Sequence, residues 1–205
     1  GFCLVGSEMC IRDRVTDSSK VTASTALVTI TDGSGNVDAT DLSAIGEKTS
    51  GQVTVSNAIN IQGTTSEVTD ALVTDDSLVV ATSATVEISN ASTVAELNAI
   101  AAKTNGVVTG SIAATSLASL SGLSTAGDDV ITITVNDGSG NVDATDLSAL
   151  GAKTAGTVTV SNAVNIQGTT SEVTDALVTD ASLVVANSAT VEISNASTVA
   201  ELNAI

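Results

Sequence analysis

The sequence predicts an α/β fold: a right-handed solenoid with coils of about 26 residues, each a strand followed by a short helix. Three observations carry this expectation. The pattern Val/Ile-x-Val/Ile-x-Asn/Asp recurs at 28–32, 53–57, 86–90, 133–137, 158–162 and 191–195. Residues 32–100 and 137–205 align without gaps at an offset of 105 and differ at seven positions only. Within that long repeat, 42–51, 97–106 and 147–156 all read Leu-x-Ala-Ile/Leu-x-x-Lys-Thr-x-Gly. The long repeat is therefore a doublet, and each half holds two strand signals.

The elements follow in order. Alternating β-branched residues at 28–32 put two apolar side chains and Asp32 on one face of a strand and the threonines on the other. Asp32-Gly-Ser-Gly-Asn36 is a Gly-rich turn. Asp38 caps a short helix with Asp41 at its third position, and Leu42 and Ile45 form its buried face. Lys48 sits in the last turn, opposing the helix dipole, and Gly51 suits a left-handed exit. After the strand at Val53, Thr64 and Glu67 have capping-box spacing ahead of Val68, Ala71 and Leu72. Residues 78–88 read as extended. Thr93 and Glu96 form another capping box before Val94, Leu97 and Ile100. The fourth coil is degenerate: 108–112 breaks the pattern and 113–123 is a weak helix. Asp128-Asp129 then leads into 131–137, and the cycle restarts.

The Asn or Asp ending each strand is expected to face inward and satisfy backbone groups where the chain turns, coil upon coil. About eight coils at ~4.8 Å each make a rod on the order of 35–40 Å long. The competing fold is a pair of tandem Ig-like β-sandwiches, since 105 residues approach that domain size. The capping boxes, the half-period echo and the lack of Trp argue against it.

Residues 4–14, LVGSEMCIRDR, resemble a translated sequencing adapter, so 1–14 are set aside as non-native. That segment holds Phe2, Cys3, Met9 and Cys10. The rest, 15–205, has no aromatic, Cys, Met, His or Pro, so cysteine usage is silent on redox compartment. It reads as one continuous repeat array, with 32–136 a complete long repeat and 137–205 a truncated one. The chain is expected to be an internal fragment of a longer reading frame.

An apolar fraction of 42% is enough for a core, supplied by Ala, Val, Leu and Ile as thin uniform coils require. A net charge of −17 argues against nucleic acid and anionic membrane surfaces as partners. No apolar run approaches the roughly 18 residues of a membrane span.

Without His, and with Cys confined to the adapter-like segment, Ser-His-Asp, Cys-His and zinc constellations are excluded from the array. Ser-Lys pairing competes with the helix-end role of Lys48, Lys103 and Lys153. Paired carboxylates at Asp75-Asp76 and Asp128-Asp129 suggest glycosidase chemistry, but Asp76 becomes Ala181 in the second copy. The expectation is no catalysis and no obligate cofactor.

Calcium is the better candidate. Asp32, Asn36 and Asp38, with their copies Asp137, Asn141 and Asp143, place oxygen ligands in a Gly-rich turn, as hard cations prefer. The spacing matches neither an EF-hand loop nor a calcium-binding nonapeptide, and a turn followed by a helix cap also explains these residues. Asn90-Ala-Ser92 and Asn195-Ala-Ser197 match the glycosylation triplet but coincide with strand ends. Thr54, Thr109, Thr132, Thr134 and Thr159 could line a face that binds ice or polysaccharide, or simply face solvent.

Stretches such as LNAIAAKTNGVVTG at 97–110 resemble the Ala/Thr/Val/Asp-rich tandem repeats of very large secreted bacterial surface proteins, which often carry calcium-binding repeats. The resemblance spans 15–205. It implies an extracellular or cell-surface spacer or adhesive stalk, with neighbouring repeats, and a surface glycan or another cell, as partners. The alternative is a calcium- or glycan-binding repeat module.

Overall fold

The computed structural model describes residues 24–31, 33–74, 78–179 and 183–205. The adapter-like segment, Lys20, Asp32 and Asp75-Asp76 lie outside them. The fold is α/β, with short parallel strands and short helices. The chain divides into two compact units, one running through Asn90 with Ala99–Val108, the other comprising Ala91–Asn98 and Thr109–Ile205.

The first unit holds, in order, β1 (Val28–Ile30), β2 (Asn36–Asp38), α1 (Ala39–Gly46), β3 (Val53–Val55), β4 (Asn60–Gly63), α2 (Thr65–Leu72), β5 (Val79–Val80) and most of β6 (Thr85–Ser92). Helix α3 (Val94–Ala101) follows. Two parallel ladders run side by side, β1-β3-β5 and β2-β4-β6. Val28 lies opposite Val53, and Val53 opposite Val79. Asn36 lies opposite Asn60, and Asn60 opposite Thr85. Each ladder thus advances by one short repeat per strand.

The second unit holds β7 (Val108–Ile112), α4 (Leu117–Leu120), β8 (Val130–Val135), β9 (Asn141–Asp143), α5 (Ala144–Gly151), β10 (Val158–Val160), β11 (Asn165–Gly168), α6 (Thr170–Leu177), β12 (Val184–Val185), β13 (Thr190–Ile193) and α7 (Val199–Ala204). Its ladders are β7-β8-β10-β12 and β9-β11-β13. Within these ladders each strand runs parallel to its neighbours. That overturns the Ig-like alternative, which needs antiparallel sheets.

The short repeat carries two strands and a helix, not one strand and a helix. The additional strands are the Asn-Val-Asp segments, which the sequence reading placed in a turn and a cap, and the Asn-Ile-Gln-Gly segments, to which it gave no element. Each has one apolar residue between polar neighbours: Ile61, Val142 and Ile166 are buried and Val37 is half-buried. The segment at 108–112 that broke the pattern is itself strand β7. The weak helix predicted over 113–123 shrinks to α4, a single turn.

The core is aliphatic throughout. In the first unit it joins Val53 of β3, Ile61 of β4, Leu42 of α1 and Val68 of α2, all fully buried. Ile133, Val158, Leu147, Ile166 and Val173 repeat the arrangement in the second unit. Each such side chain contributes about 1.5–3 kcal/mol by leaving water. Leu78 and its copy Leu183 adopt left-handed backbone, φ 51° and 49°. Their carbonyls accept the amides of Val53 and Val158 at 3.0 and 3.1 Å. Among the described residues no helix is long and apolar enough to cross a membrane.

Candidate functional site

Polar side chains that bond from one short repeat to the next form the most regular arrangement in the molecule. The first set belongs to the Lys-Thr-x-Gly ends of the helices. Thr49 Oγ1 donates to the Ala26 carbonyl at 2.6 Å and accepts the Gly51 amide at 2.9 Å. Thr104 does the same with the Ala84 carbonyl and the Gly106 amide. Thr154, 3% exposed, accepts the amides of Ile131 and Gly156, both at 2.8 Å. Its hydroxyl faces the carbonyls of Asp129 and Ile131 at 3.0 and 2.9 Å.

Close approach at this clasp explains the glycine. A Cβ on Gly51, Gly106 or Gly156 would collide with the carbonyl of Ala26, Ala84 or Ile131. The left-handed exit expected at Gly51 is absent; the residue is small because a neighbouring backbone passes over it. Lys48, Lys103 and Lys153 fall beyond the helix ends at Gly46, Ala101 and Gly151, not in the last turns.

The strand-end Asn and Asp residues form the second set. They were expected to face inward, yet Asn57, Asn90 and Asn195 are exposed. They satisfy backbone groups from the surface instead. Asn90 Oδ1 accepts the Thr65 amide, the first of α2, at 2.7 Å, and Asn195 does the same for Thr170 and α6. Asp137 Oδ2 accepts the Leu117 amide at the start of α4, at 2.8 Å. Orphan amides at a helix start are thus capped by a strand that follows later in the chain. Asn57 Nδ2 donates to the Thr31 carbonyl at 3.0 Å. The glycosylation-like asparagines Asn90 and Asn195 are therefore engaged through their side-chain oxygens.

The helices also cap themselves where the sequence said they would. Thr64 with Glu67, Thr169 with Glu172 and Thr198 with Glu201 form complete capping boxes. Glu96 Oε2 accepts the Thr93 amide at 2.8 Å while Thr93 Oγ1 accepts the Glu96 amide. Hydrogen bonds from the Thr backbone amide first, and the Thr hydroxyl second, hold Glu67, Glu96 and Glu201 below the ordinary carboxylate pKa.

Asp38 behaves otherwise. It occupies the position before α1 but makes no side-chain capping bond. Its Oδ1 accepts Gln62 Nε2 at 2.9 Å, and Asp143 accepts Gln167 Nε2 at 2.7 Å. Asn60 Nδ2 donates to Asn36 Oδ1 and to Glu87 Oε2, each at 3.2 Å. Asn165 joins Asn141 and Glu192 in the same way, at 3.2 and 2.9 Å. The outer face of β2-β4-β6 and of β9-β11-β13 is thus a ladder of carboxylates and amides.

The calcium candidates are distributed across these arrangements. Asp32 lies outside the described residues, and Asn36 and Asp38 belong to the β2 ladder. Asp137, Asn141 and Asp143 all line one cavity of about 710 Å³, together with Asp146, Lys153 and Leu120. Within it Asp137 caps α4 while Asn141 and Asp143 bond the glutamine of β11. Among the described residues, no group of three or more His, Cys, Asp or Glu side chains is disposed to hold a metal ion.

No family model, curated protein or solved structure matches this chain.

The remaining candidates resolve into structural positions. Asp129 is buried, with its carboxylate on the Ala126 amide at 2.9 Å, whereas Asp128 is exposed. The two carboxylates do not share one environment. Thr134 and Thr159 lie side by side, and the row continues into Val185, 39% exposed. In the first unit Thr29 and Thr54 lead into Val80 likewise. Gln62, Gln167 and Thr154 were missed at the sequence level. Their one available signal was recurrence at the 105-residue offset or within the Lys-Thr-x-Gly echo.

Proposed function

We propose that this chain is a length of right-handed α/β solenoid serving as a spacer or adhesive stalk segment of a large extracellular bacterial repeat protein, without catalysis. The observation that carries the reading is the repetition of bonds between successive short repeats. Thr49 reaches Ala26 just as Thr104 reaches Ala84, and Gln62 reaches Asp38 just as Gln167 reaches Asp143. A chain whose polar side chains are used to join one repeat to the next is organised for continuation. Near-identical long repeats are what length-building by duplication leaves behind, and nearest-neighbour stacking sums stability along the array. The surface location rests on the resemblance of the repeats to secreted bacterial surface proteins. Recovering the parent reading frame tests it: many further repeats and a secretion signal are expected. A cytosolic protein containing these two long repeats alone would defeat it.

A second reading, a calcium-binding turn, is favoured by the convergence of Asp137, Asn141, Asp143 and Asp146 on one cavity. Calcium held by the folded state stabilises by RT ln(1 + [L]/Kd), about 2.7 kcal/mol at a hundredfold excess over Kd. General screening of the −17 charge acts equally with magnesium. The expected signature is a higher Tm in calcium than in magnesium at equal ionic strength, abolished in an Asp38→Ala, Asp143→Ala double variant. Superimposable melting curves in the two ions would remove this reading.

A further inference from the structure

Within the second unit, a difference in helix length leaves a space. Helix α5 runs for eight residues, whereas α4, the helix before it in the chain and beside it in space, runs for four. At 1.5 Å per residue, about 6 Å of the flank of α5 has no helix alongside. On its other flank α5 packs against α6, a helix of its own length. The cavity of about 710 Å³ between α4, the 137–143 turn and α5 occupies the vacated place. That volume falls among the roughly 300–1,000 Å³ of pockets that take organic ligands and anchoring side chains.

The walls are held from both ends. The Leu117 amide donates to Asp137 Oδ2 at 2.8 Å, which fixes the start of α4 to the turn. The hydroxyl of buried Thr125 donates to the Lys153 carbonyl at 2.8 Å, which fixes the chain after α4 to the end of α5. The cavity is therefore preformed, and a ligand is spared the cost of ordering it. Half-buried Leu117 and exposed Ala118 and Ala149 supply its apolar wall, with Leu120 and Leu150 behind them. Exposed Asp143, Asp146 and Lys153 form the rim along α5. With Asp137, three carboxylates face one amine, in a chain of net charge −17.

We propose that this cavity is a docking groove for a short amphipathic helix of a partner protein, with leucine-sized residues on one face and lysine or arginine beside them. The missing length of α4 leaves room for helical turns alongside α5. The leucine and alanine wall takes the apolar face, and the carboxylate rim takes the basic flank. An acidic segment, including one from a second copy of this array, meets repulsion there. The calcium reading draws on the same carboxylates but needs none of the apolar wall, and the spacer reading needs no ligand.

The probe is a fluorescein-labelled peptide of about twelve residues, built from Lys, Leu and Ala with its leucines at helical spacing. It is titrated with the whole chain in calcium-free buffer and followed by fluorescence anisotropy, and saturable one-to-one binding is expected. Ala149→Gln fills the groove without changing its charge, and should weaken binding at least about tenfold by overpacking the site while the urea midpoint stays unchanged. Asp146→Asn should weaken binding about two- to fivefold, the scale of one exposed ion pair. Asp175→Asn, which removes the same charge from the exposed surface of α6, should change it little. Absence of saturable binding, or binding that Ala149→Gln leaves intact, would overturn the proposal. Equal effects of Asp146→Asn and Asp175→Asn would reduce the interaction to general attraction by an acidic surface and overturn it as well. Concentration-dependent self-association of the parent chain that Ala149→Gln abolishes would overturn it by assigning the groove to a second copy.

Discussion

Thr154→Val tests the clasp between repeats without changing side-chain shape. The threonine hydroxyl accepts two amides, from Ile131 and Gly156, in a site 3% exposed. Valine fills the same volume but accepts nothing, so both amides lose that acceptor inside the protein. A buried donor left unsatisfied costs about 1–3 kcal/mol, so with two such donors the variant should lose about 2–6 kcal/mol. Thr49 offers an internal scale: it is 7% exposed and accepts one amide, that of Gly51. Thr49→Val should therefore lose about 1–3 kcal/mol, and Thr154→Ser, which keeps the hydroxyl, clearly less than Thr154→Val. Urea unfolding followed by far-UV circular dichroism gives these differences from midpoint and slope; with no Trp or Tyr in the chain, intrinsic fluorescence cannot. A Thr154→Val loss below about 0.5 kcal/mol, the scale of an ordinary surface substitution, would refute the reasoning, as would equal losses at the two sites.

Two further outcomes follow from the same structure. Gly156→Ala should cost about 1–3 kcal/mol or more, because its Cβ would meet the Ile131 backbone, while Gly138→Ala, with open space around it, should be near neutral; comparable urea midpoints for the two would contradict the close approach. Glu67, Glu96 and Glu201 have folded pKa values below their unfolded ones, so the stability they contribute is present above the unfolded value of about 4.3 and lost as pH falls through the folded value. Relief of repulsion in this acidic chain acts in the opposite direction. The useful quantity is thus the stability gap between the parent and Glu67→Gln, which should narrow from pH 7 to pH 3; a gap independent of pH would show that the Thr64 bonds do not favour the carboxylate.

Much of the fold was legible where apolar residues alternate. Val53, Val55, Val158 and Val160 announce strands because two buried residues two apart leave little alternative. The Thr-x-x-Glu boxes were legible because both partners lie within one helical turn. Strands β2, β4, β9 and β11 were not, since each shows one inward Val or Ile among polar residues. Their outward Asn, Asp and Gln find partners 24–27 residues away, so the register must be known before the ladder can be seen. Asp38 was misread for the same reason: before a helix, cap spacing and ladder spacing look alike. Thr49 and Thr154 stood in a visible echo, but their partners 23 residues upstream did not. The candidate cation residues were read as a turn, and the structure distributes the oxygens of Asn36, Asp38, Asp137, Asn141 and Asp143 among a helix cap and two ladders.

The proposed spacer role requires short repeats to stack one upon the next so that particle length grows with repeat number. Small-angle X-ray scattering on the chain, and on a version carrying one additional 105-residue repeat, measures it most directly. Four more short repeats at ~4.8 Å each should lengthen the particle by about 19 Å, with the cross-sectional radius of gyration unchanged. A cross-section that widens, or an overall radius growing only as a compact body of that residue number would, would contradict the account.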